Sequence, residues 1–158
     1  MSAPAQPLAR LSNAKLQPTS GQRLNWNELP ESSASLAAVT AATAHDGLTL
    51  LICPTTASAR QSVRECRVFA PEQLAVLHFP DWETLPYDQF SPHQDIISER
   101  LLTLSRLPQL SSGILIVPVT TLLHRLPDKS YLKGNTLNLA VNDTLDVEAF
   151  RLDLDACS

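Results

Sequence analysis

The sequence predicts an α/β protein built on a parallel β-sheet. Three short runs are almost wholly apolar: LTLLIC at residues 48–53, LAVLHF at 74–79 and GILIVPV from residue 113. Segments with helical spacing follow each run. Strands of a parallel sheet are continuously apolar because helices cover both faces, and alternating strands and helices require right-handed crossovers. We therefore predict three parallel strands, the first of them buried on both faces.

Hydroxyl residues mark the first two helix starts. Either Ser32 or Ser33 is placed to cap a short helix rich in alanine and leucine. Either Thr55 or Thr56 is placed to cap the helix TASARQSVRECRVF, which follows the first strand.

Two further helices are predicted later in the chain. Ser91 is expected to cap the next helix, with Pro92 at the first helical position and Gln94 reaching back as in a capping box. The sequence TTLLHRL at residues 120–126 is predicted to form a short helix that Pro127 ends.

The pattern divides the chain into three parts. Residues 1–24 have no sustained period and are expected to form a flexible tail. Residues 25–127 hold the strands and helices of the α/β domain. Residues 128–158 are predicted to begin a second, α+β domain, with a strand around 137–141 and a helix starting at Thr144 or Asp146, and to leave that domain incomplete.

Composition narrows the classes of function. The net charge of −4 disfavours a broad basic face for nucleic acid, and no apolar run approaches the roughly 20 residues of a membrane span. The N-terminus lacks a signal peptide, so we expect a cytoplasmic protein without membrane contact. The cysteines, Cys53, Cys66 and Cys157, have no CxxC spacing, which predicts neither a zinc site nor a disulfide framework.

A ligand site in such a sheet lies at the carboxyl ends of the strands. Thr55 and Thr56 follow the first strand, and Thr120 and Thr121 follow the third. Hydroxyls and free amides at a helix start can hold phosphate, although plain helix capping explains the same residues. No glycine is followed by the Lys-Ser or Lys-Thr pair of a phosphate loop, so we predict no ATP and no other cofactor.

Four acidic residues of the loop after the second strand are candidates for acid–base chemistry: Asp81, Glu83, Asp88 and Asp95. A small enzyme using this loop is one alternative. The simpler interpretation is that they are solvated groups, with Asp95 favoured by a helix dipole. No Ser-His-Asp arrangement can be assigned, and we predict no catalytic residue.

The same loop holds Trp82, Tyr87 and Phe90 in a chain with eight aromatic residues. We expect these rings to form a packed lid over the strand ends. The alternative is a contact with a partner or DNA by base stacking. The absence of lysine and arginine from residues 68–99 disfavours that alternative.

Residues DWETLPYDQFSPHQDIISERLLTLSRL and GILIVPVTTLLHRLP, together with LLICPTTASARQSVRE, closely resemble the N-terminal region of the bacterial transcription-repair coupling factor family, Mfd. The resemblance covers roughly residues 26–158. It implies a RecA-like domain similar to UvrB, with a degenerate, P-loop NTPase-like site. NELPESSAS would stand where UvrB has its phosphate loop, and Ala34 would take the position of the lysine of that loop. That position comprises Glu31, Ser32, Ser33, Ala34 and Ser35.

The resemblance further implies a non-catalytic module of a DNA-repair protein that couples removal of stalled RNA polymerase to recruitment of UvrA. The UvrA-docking surface would lie mostly beyond residue 158. RNA polymerase and DNA would be bound by domains outside this chain, and a separate motor of the parent protein would hydrolyse ATP. The alternative is a helicase-type domain that contacts DNA phosphates, helped by His124. Its contacts would be Thr55, Thr56, Arg60, Thr120, Thr121 and Arg125.

Overall fold

The computed structural model describes residues 32–84 and 91–134, together with residues 21, 23, 25, 26, 29, 146–148 and 151. The helices are α1 (Ser33–Thr43), α2 (Thr56–Phe69), α3 (Gln94–Arg106) and α4 (Lys129–Gly134), and the strands are β1 (Leu48–Cys53), β2 (Val76–His78) and β3 (Gly113–Pro118). Two short 3₁₀ helices cover Leu107–Gln109 and Val119–Leu123.

The chain divides into two compact units, Met1–Pro127 and Asp128–Ser158. Helix α4 lies in the second unit and has no counterpart in the sequence-based prediction. The strand predicted around 137–141 lies outside the described residues. The identities assigned to the two parts, and the flexible tail, stay predictions.

The three strands form one parallel sheet in the order β1-β3-β2. Leu51 of β1 lies opposite Ile116 of β3, and His78 of β2 lies opposite the same residue on the other side. The predicted α/β class with a parallel sheet is therefore confirmed. The central position of β3 explains why its side chains are the most deeply buried of the sheet.

The hydrophobic core lies between the sheet and helices α1 and α2. Ile114 and Ile116 of β3 are fully buried, and α2 contacts all three strands. Small residues let the helices approach the sheet closely, because a short side chain keeps the two backbones near each other. The buried cluster comprises Val39, Ala42, Cys53, Ala59, Val63, Cys66, Leu74, Ile114 and Ile116.

The prediction that β1 is buried on both faces is wrong. Leu48, Leu50 and Ile52 are exposed, Leu50 to 48%, whereas Leu51 packs against the core. The physical reason is position: β1 is an edge strand of the described sheet, and α1 and α2 cover only one of its faces. An apolar run alone does not distinguish a strand buried on both faces from one buried on a single face.

Helix α2 begins as predicted. Thr55 is its N-cap, and the Ser58 amide donates to the Thr55 hydroxyl at 3.1 Å. The Thr55 amide donates to the Ser58 hydroxyl at the same distance, which closes a reciprocal capping box. Ser32 precedes α1, also as predicted, but its side chain makes no capping hydrogen bond.

Helix α3 begins later than predicted. His93 is its N-cap, and the Asp95 amide donates to the His93 ring at 3.3 Å. Ser91 and Pro92 therefore precede the helix, and the predicted cap at Ser91 is wrong. The His93 imidazole nitrogen accepts the capping hydrogen bond that the Ser91 hydroxyl was expected to accept.

Two elements are shorter or tighter than predicted. Strand β2 covers only Val76–His78 of the apolar run at 74–79. The helix expected at 120–126 is the 3₁₀ helix Val119–Leu123, whose C-cap is His124. The apolar runs located both elements but did not fix their ends.

Helix α3 is joined to the edge of β2 by side-chain hydrogen bonds. The Thr103 hydroxyl donates to the His78 carbonyl at 2.8 Å, and the His78 ring lies 2.9 Å from the Glu99 carboxylate. These contacts give partners to the His78 carbonyl and to the Nδ1 atom of its ring, on the edge of β2 that no further strand pairs with in the described sheet.

Gly113 is required where β3 begins. Its φ is +153°, and a Cβ there would lie 2.9 Å from the carbonyl oxygen of Ala75. That carbonyl accepts a hydrogen bond of 2.8 Å from the Ile114 amide. Glycine therefore lets the start of β3 lie against the residue that precedes β2.

Candidate functional site at the carboxyl ends of the strands

The chain leaves β2 along a buried path. Phe79 and Pro80 are buried, and the Phe79 amide donates to the Ile116 carbonyl at 2.9 Å. The Arg100 guanidinium lies against both the Phe79 and Trp82 rings, 4.1 Å from each centroid, and donates to the Pro80 carbonyl. Arg100 is only 3% exposed, so this stacked cation fixes the segment that follows β2.

Asp81 joins the end of β2 to the segment after β3. One carboxylate oxygen accepts the Thr120 hydroxyl, and the other accepts the Trp82 amide at 2.8 Å and lies 3.1 Å from the His124 ring. Burial alone would raise the pKa of Asp81. The hydrogen bonds from Thr120 and Trp82 and the charge of His124 outweigh burial, so the pKa lies below its ordinary value.

Glu83 joins the same segment to α2. Its carboxylate forms an ion pair with Arg60. The backbone of Glu83 has φ +58°, in the left-handed region, which costs a non-glycine residue about 1–2 kcal/mol. Contacts on both sides, through Asp81 and Arg60, hold the residue there. The name "segment 81–83" is used below for Asp81, Trp82 and Glu83.

The structure brings Arg60 and Thr120 to one edge, where they bond to segment 81–83. Thr55 uses its hydroxyl in the α2 cap, and Thr56 is the first residue of that helix. Thr121 is 2% exposed, and its hydroxyl finds no partner among the described residues. Arg125 is exposed beyond the 3₁₀ helix. Their role as nucleic-acid contacts stays a prediction.

The acidic residues of the loop differ from one another. Asp81 is partly buried and makes the contacts described above, so its interpretation as a simply solvated group is wrong. Glu83 is exposed, as expected, although it pairs with Arg60. Asp95 lies exposed in the first turn of α3, as expected. Asp88 lies outside the described residues, as do Tyr87 and Phe90. Of the predicted lid, Trp82 is seen, and it packs on Arg100.

The first turn of α1, the position that resembles a phosphate loop, is bonded to a carboxylate from α2. Glu65 accepts the Ser32 hydroxyl at 3.0 Å, the Ser35 hydroxyl at 2.7 Å and the Gln61 amide at 2.8 Å. These bonds, Ser35 first, lower the pKa of Glu65. An open cavity of about 440 Å³, lined in part by Ala34, lies beside them. Ser33 lies in the same turn, and Glu31 lies outside the description.

The described ranges contain two free cysteines, both buried. No group of three or more histidine, cysteine or acidic residues there is arranged to hold a metal ion. Cys53 and Cys66 are buried free thiols, and burial raises the pKa of Cys66 to about 11. None of the described helices has the length and apolar content needed to cross a membrane.

Sequence reasoning missed Arg100 and Glu65. Residues 68–99 contain no lysine or arginine, which suggested that the aromatic segment has no cation beside it. Arg100, the next residue, supplies one. A signal was present, because Arg100 stands three residues after Ile97 and four before Leu104, a spacing that places the three side chains on one side of a helix. Glu65 reaches a serine 30 positions away, which no local pattern reveals.

The fold and the site define a parallel α/β domain whose strand-end edge is bonded to its own carboxylates. No family model matches the chain. The chain is 40% identical over 136 residues, 86% of its length, to the transcription-repair-coupling factor of Escherichia coli K12. It is 43% identical over 113 residues to that of Haemophilus influenzae and 32% identical over 91 residues to that of Rickettsia bellii.

The chain belongs to the transcription-repair coupling factor family. It spans about 12% of the length of the Escherichia coli relative and 10% of the Haemophilus influenzae relative. The resemblance found in the sequence is thereby confirmed. The names of these relatives tie the family to the coupling of transcription with repair.

Proposed function

We propose that this chain is a non-catalytic module of a transcription-repair coupling factor and serves as a scaffold for protein docking. The observation that supports the proposal is that carboxylates of the chain itself bond the polar groups where a ligand of such a sheet would sit. Asp81 bonds Thr120 at the strand ends, and Glu65 bonds Ser32 and Ser35 in the first turn of α1.

In this proposal the module is similar to UvrB and works in the cytoplasm within a longer repair protein. Docking of UvrA would use a surface mostly beyond residue 158. Other parts of the parent protein would bind RNA polymerase and DNA and would hydrolyse ATP to translocate. The identity with the relatives over most of this chain supports the placement in that protein.

Electrostatics support the absence of nucleotide chemistry. A triphosphate needs backbone amides and a lysine around it. The first turn of α1 offers Ala34 where the resemblance places the lysine, and the Glu65 carboxylate lies beside it. A negative charge there repels phosphate oxygens, and the whole chain carries a net charge of −4.

Calorimetric titration with ATP and magnesium tests the proposal. We expect no heat beyond that of dilution. Binding with a micromolar Kd, about 8 kcal/mol of free energy, would overturn the interpretation of α1 as a degenerate site. The titration should be repeated with the Glu65→Gln variant, which tests whether the carboxylate contributes to exclusion.

A second function, contact with DNA phosphates, is supported by one observation. Arg60 of α2 pairs with Glu83, and Thr120 and His124 of the segment after β3 contact Asp81, two residues before Glu83. Gel shifts with duplex DNA at several salt concentrations test it, using Arg60→Ala and Arg125→Ala. Loss of a phosphate contact should weaken binding and flatten its salt dependence by about one unit of slope. If DNA binds and both variants bind equally well, the site lies elsewhere.

A further inference from the structure

We propose that the open cavity beside the first turn of α1 binds an arginine side chain of a protein partner, with the Glu65 carboxylate as the anion that receives it. The inference deepens the docking function proposed above, on which it rests, because it places one docking site inside this chain and names the chemistry of the partner. The cavity measures about 440 Å³, a volume within the range of pockets that enclose a ligand.

The cavity lies at the free edge of β1. Leu51 and Ile52 both line it, and successive side chains of a strand point to opposite faces of the sheet. A cavity that both residues line therefore runs around the edge of the strand, near its carboxyl end, and not over one face alone. Strand β3 pairs with the other edge of β1, so no strand of the described sheet closes this side. A partner can therefore approach the cavity from beside the sheet.

Glu65 brings a carboxylate to this cavity without a counter-cation. Its hydrogen bonds come from Ser32, Ser35 and Gln61, all of them neutral. No lysine, arginine or histidine among the residues that the structure describes forms an ion pair with it. Arg64, the preceding residue, is exposed and acts on Glu65 through its charge alone. Because Glu65 is partly buried, a cation in the cavity would compensate a charge that water reaches only in part.

The walls of the cavity suit a guanidinium group better than an ammonium group. Gln61 lines the cavity beside Glu65, and its amide nitrogen bonds the carboxylate, which leaves its amide oxygen as a second acceptor. A planar group with five N–H donors can use acceptors from two side chains at once. Leu51 and Ile52 supply an apolar wall for the aliphatic stem of an arginine. Guanidinium is also less strongly hydrated than ammonium, so it enters such a cavity more readily.

An apolar stripe leads along β1 to the cavity and defines a second property of the partner. Leu48, Leu50 and Ile52 are exposed to 41%, 48% and 49%. Residues two positions apart in a strand face the same way, so these three side chains form one row, and its last member, Ile52, lines the cavity. Arginine within an apolar surround is common among the residues that carry the affinity of protein interfaces. We therefore expect the partner to present apolar side chains next to its arginine.

Nuclear magnetic resonance titration of the whole 158-residue chain with N-acetylarginine amide tests the proposal. The probe carries one guanidinium and no other charge, and N-acetylcitrulline amide is a neutral probe of nearly the same shape. We expect saturable shifts of the Ser35 and Gln61 amide signals with the arginine probe, with a Kd of about 1–10 mM. The citrulline probe should bind at least about tenfold more weakly, because it cannot form a charge-assisted hydrogen bond.

The Glu65→Gln variant should bind the arginine probe at least about tenfold more weakly than wild type. The matched control is Glu72→Gln, which removes the same charge from an exposed turn and should bind within about twofold of wild type. Far-ultraviolet circular dichroism checks the fold of both variants. The comparison of the two probes on the wild-type chain needs no variant, so it decides the question even if Glu65→Gln does not fold.

The proposal is overturned if the wild-type chain binds neither probe, or binds both equally well. It is also overturned if folded Glu65→Gln binds the arginine probe as tightly as Glu72→Gln does. Each of these results removes the arginine site and leaves the docking function standing. Binding of ATP in the calorimetric titration described above would instead overturn the proposed function, so the two failures are distinguishable.

Discussion

This chain differs from a ligand-binding α/β domain in two carboxylates that are bonded to its own polar groups. Asp81 and Glu65 each accept several hydrogen bonds from groups that could otherwise hold an anion. The pKa of each lies below its ordinary value because these bonds favour the ionised form. At the residue scale, the site is a set of donors already bonded to acceptors within the chain.

The Glu65→Gln substitution tests whether the hydrogen bonds that Glu65 accepts from the first turn of α1 depend on an ionised carboxylate. Because the pKa of Glu65 in the folded state lies below its ordinary value of 4.5, its carboxylate stabilises the fold above that pH. The stabilisation is lost as pH falls through the folded-state pKa. We expect the variant to lose about 1 kcal/mol of unfolding free energy at neutral pH and the difference from wild type to close on acidification.

Urea denaturation between about pH 7 and about pH 3 measures this difference. Glu72→Gln, in an exposed turn, is the control and should stay within about 0.5 kcal/mol of wild type throughout. A constant penalty for Glu65→Gln across the pH range would show that the lost interaction does not depend on ionisation.

Arg100→Lys tests the stacked cation. A lysine keeps the charge but loses the planar group that lies against Phe79 and Trp82. We expect a loss of about 1–2 kcal/mol in unfolding free energy, measured by urea denaturation. Arg106→Lys, at the exposed end of the same helix, should cost less than about 0.5 kcal/mol. Equal effects of the two changes would remove the stacking role.

Sequence reasoning succeeded at the residue scale where partners are close along the chain. The Thr55–Ser58 capping box spans three positions, and a local rule narrowed the cap to Thr55 or Thr56. His124 reaches Asp81 across 43 positions. No propensity or spacing encodes such a contact, because it depends on which strands become neighbours.

At the element scale, apolar runs located the strands and helices, but packing decided their faces and ends. Strand β1 was found to the residue, yet one of its faces is exposed. Helix α3 was found, yet it starts at Gln94 because the His93 ring bonds its first turn. Burial depends on neighbours in the sheet, and helix ends depend on individual hydrogen bonds, so neither follows from periodicity.

Paired alanine substitutions test the one-sided burial of the sheet at β1. Ile116 is fully buried in β3, so Ile116→Ala should cost about 2–5 kcal/mol. Leu50 is nearly half exposed, so Leu50→Ala should cost less than about 1 kcal/mol. Chemical denaturation of the two variants makes the comparison. A Leu50 penalty as large as that of Ile116 would show that this face of β1 is covered in solution.

At the scale of the whole molecule, the parallel direction of the strands, in the order β1-β3-β2, brings the carboxyl ends of all three to one edge. The parallel α/β class followed from the sequence because its alternation of apolar runs and helical segments permits few other layouts. The strand order was not predicted, since crossover rules fix handedness without fixing which strand is central. Family membership came from long stretches of matching sequence and could not have come from composition.

The measurement that bears most directly on the central claim is nucleotide hydrolysis by the purified chain. Phosphate release from ATP with magnesium should equal the background without protein, because residues 27–35, the segment that resembles a phosphate loop, contain no lysine and no glycine. Release that rises in proportion to protein concentration, and disappears when the chain is unfolded, would contradict the assignment of a non-catalytic module.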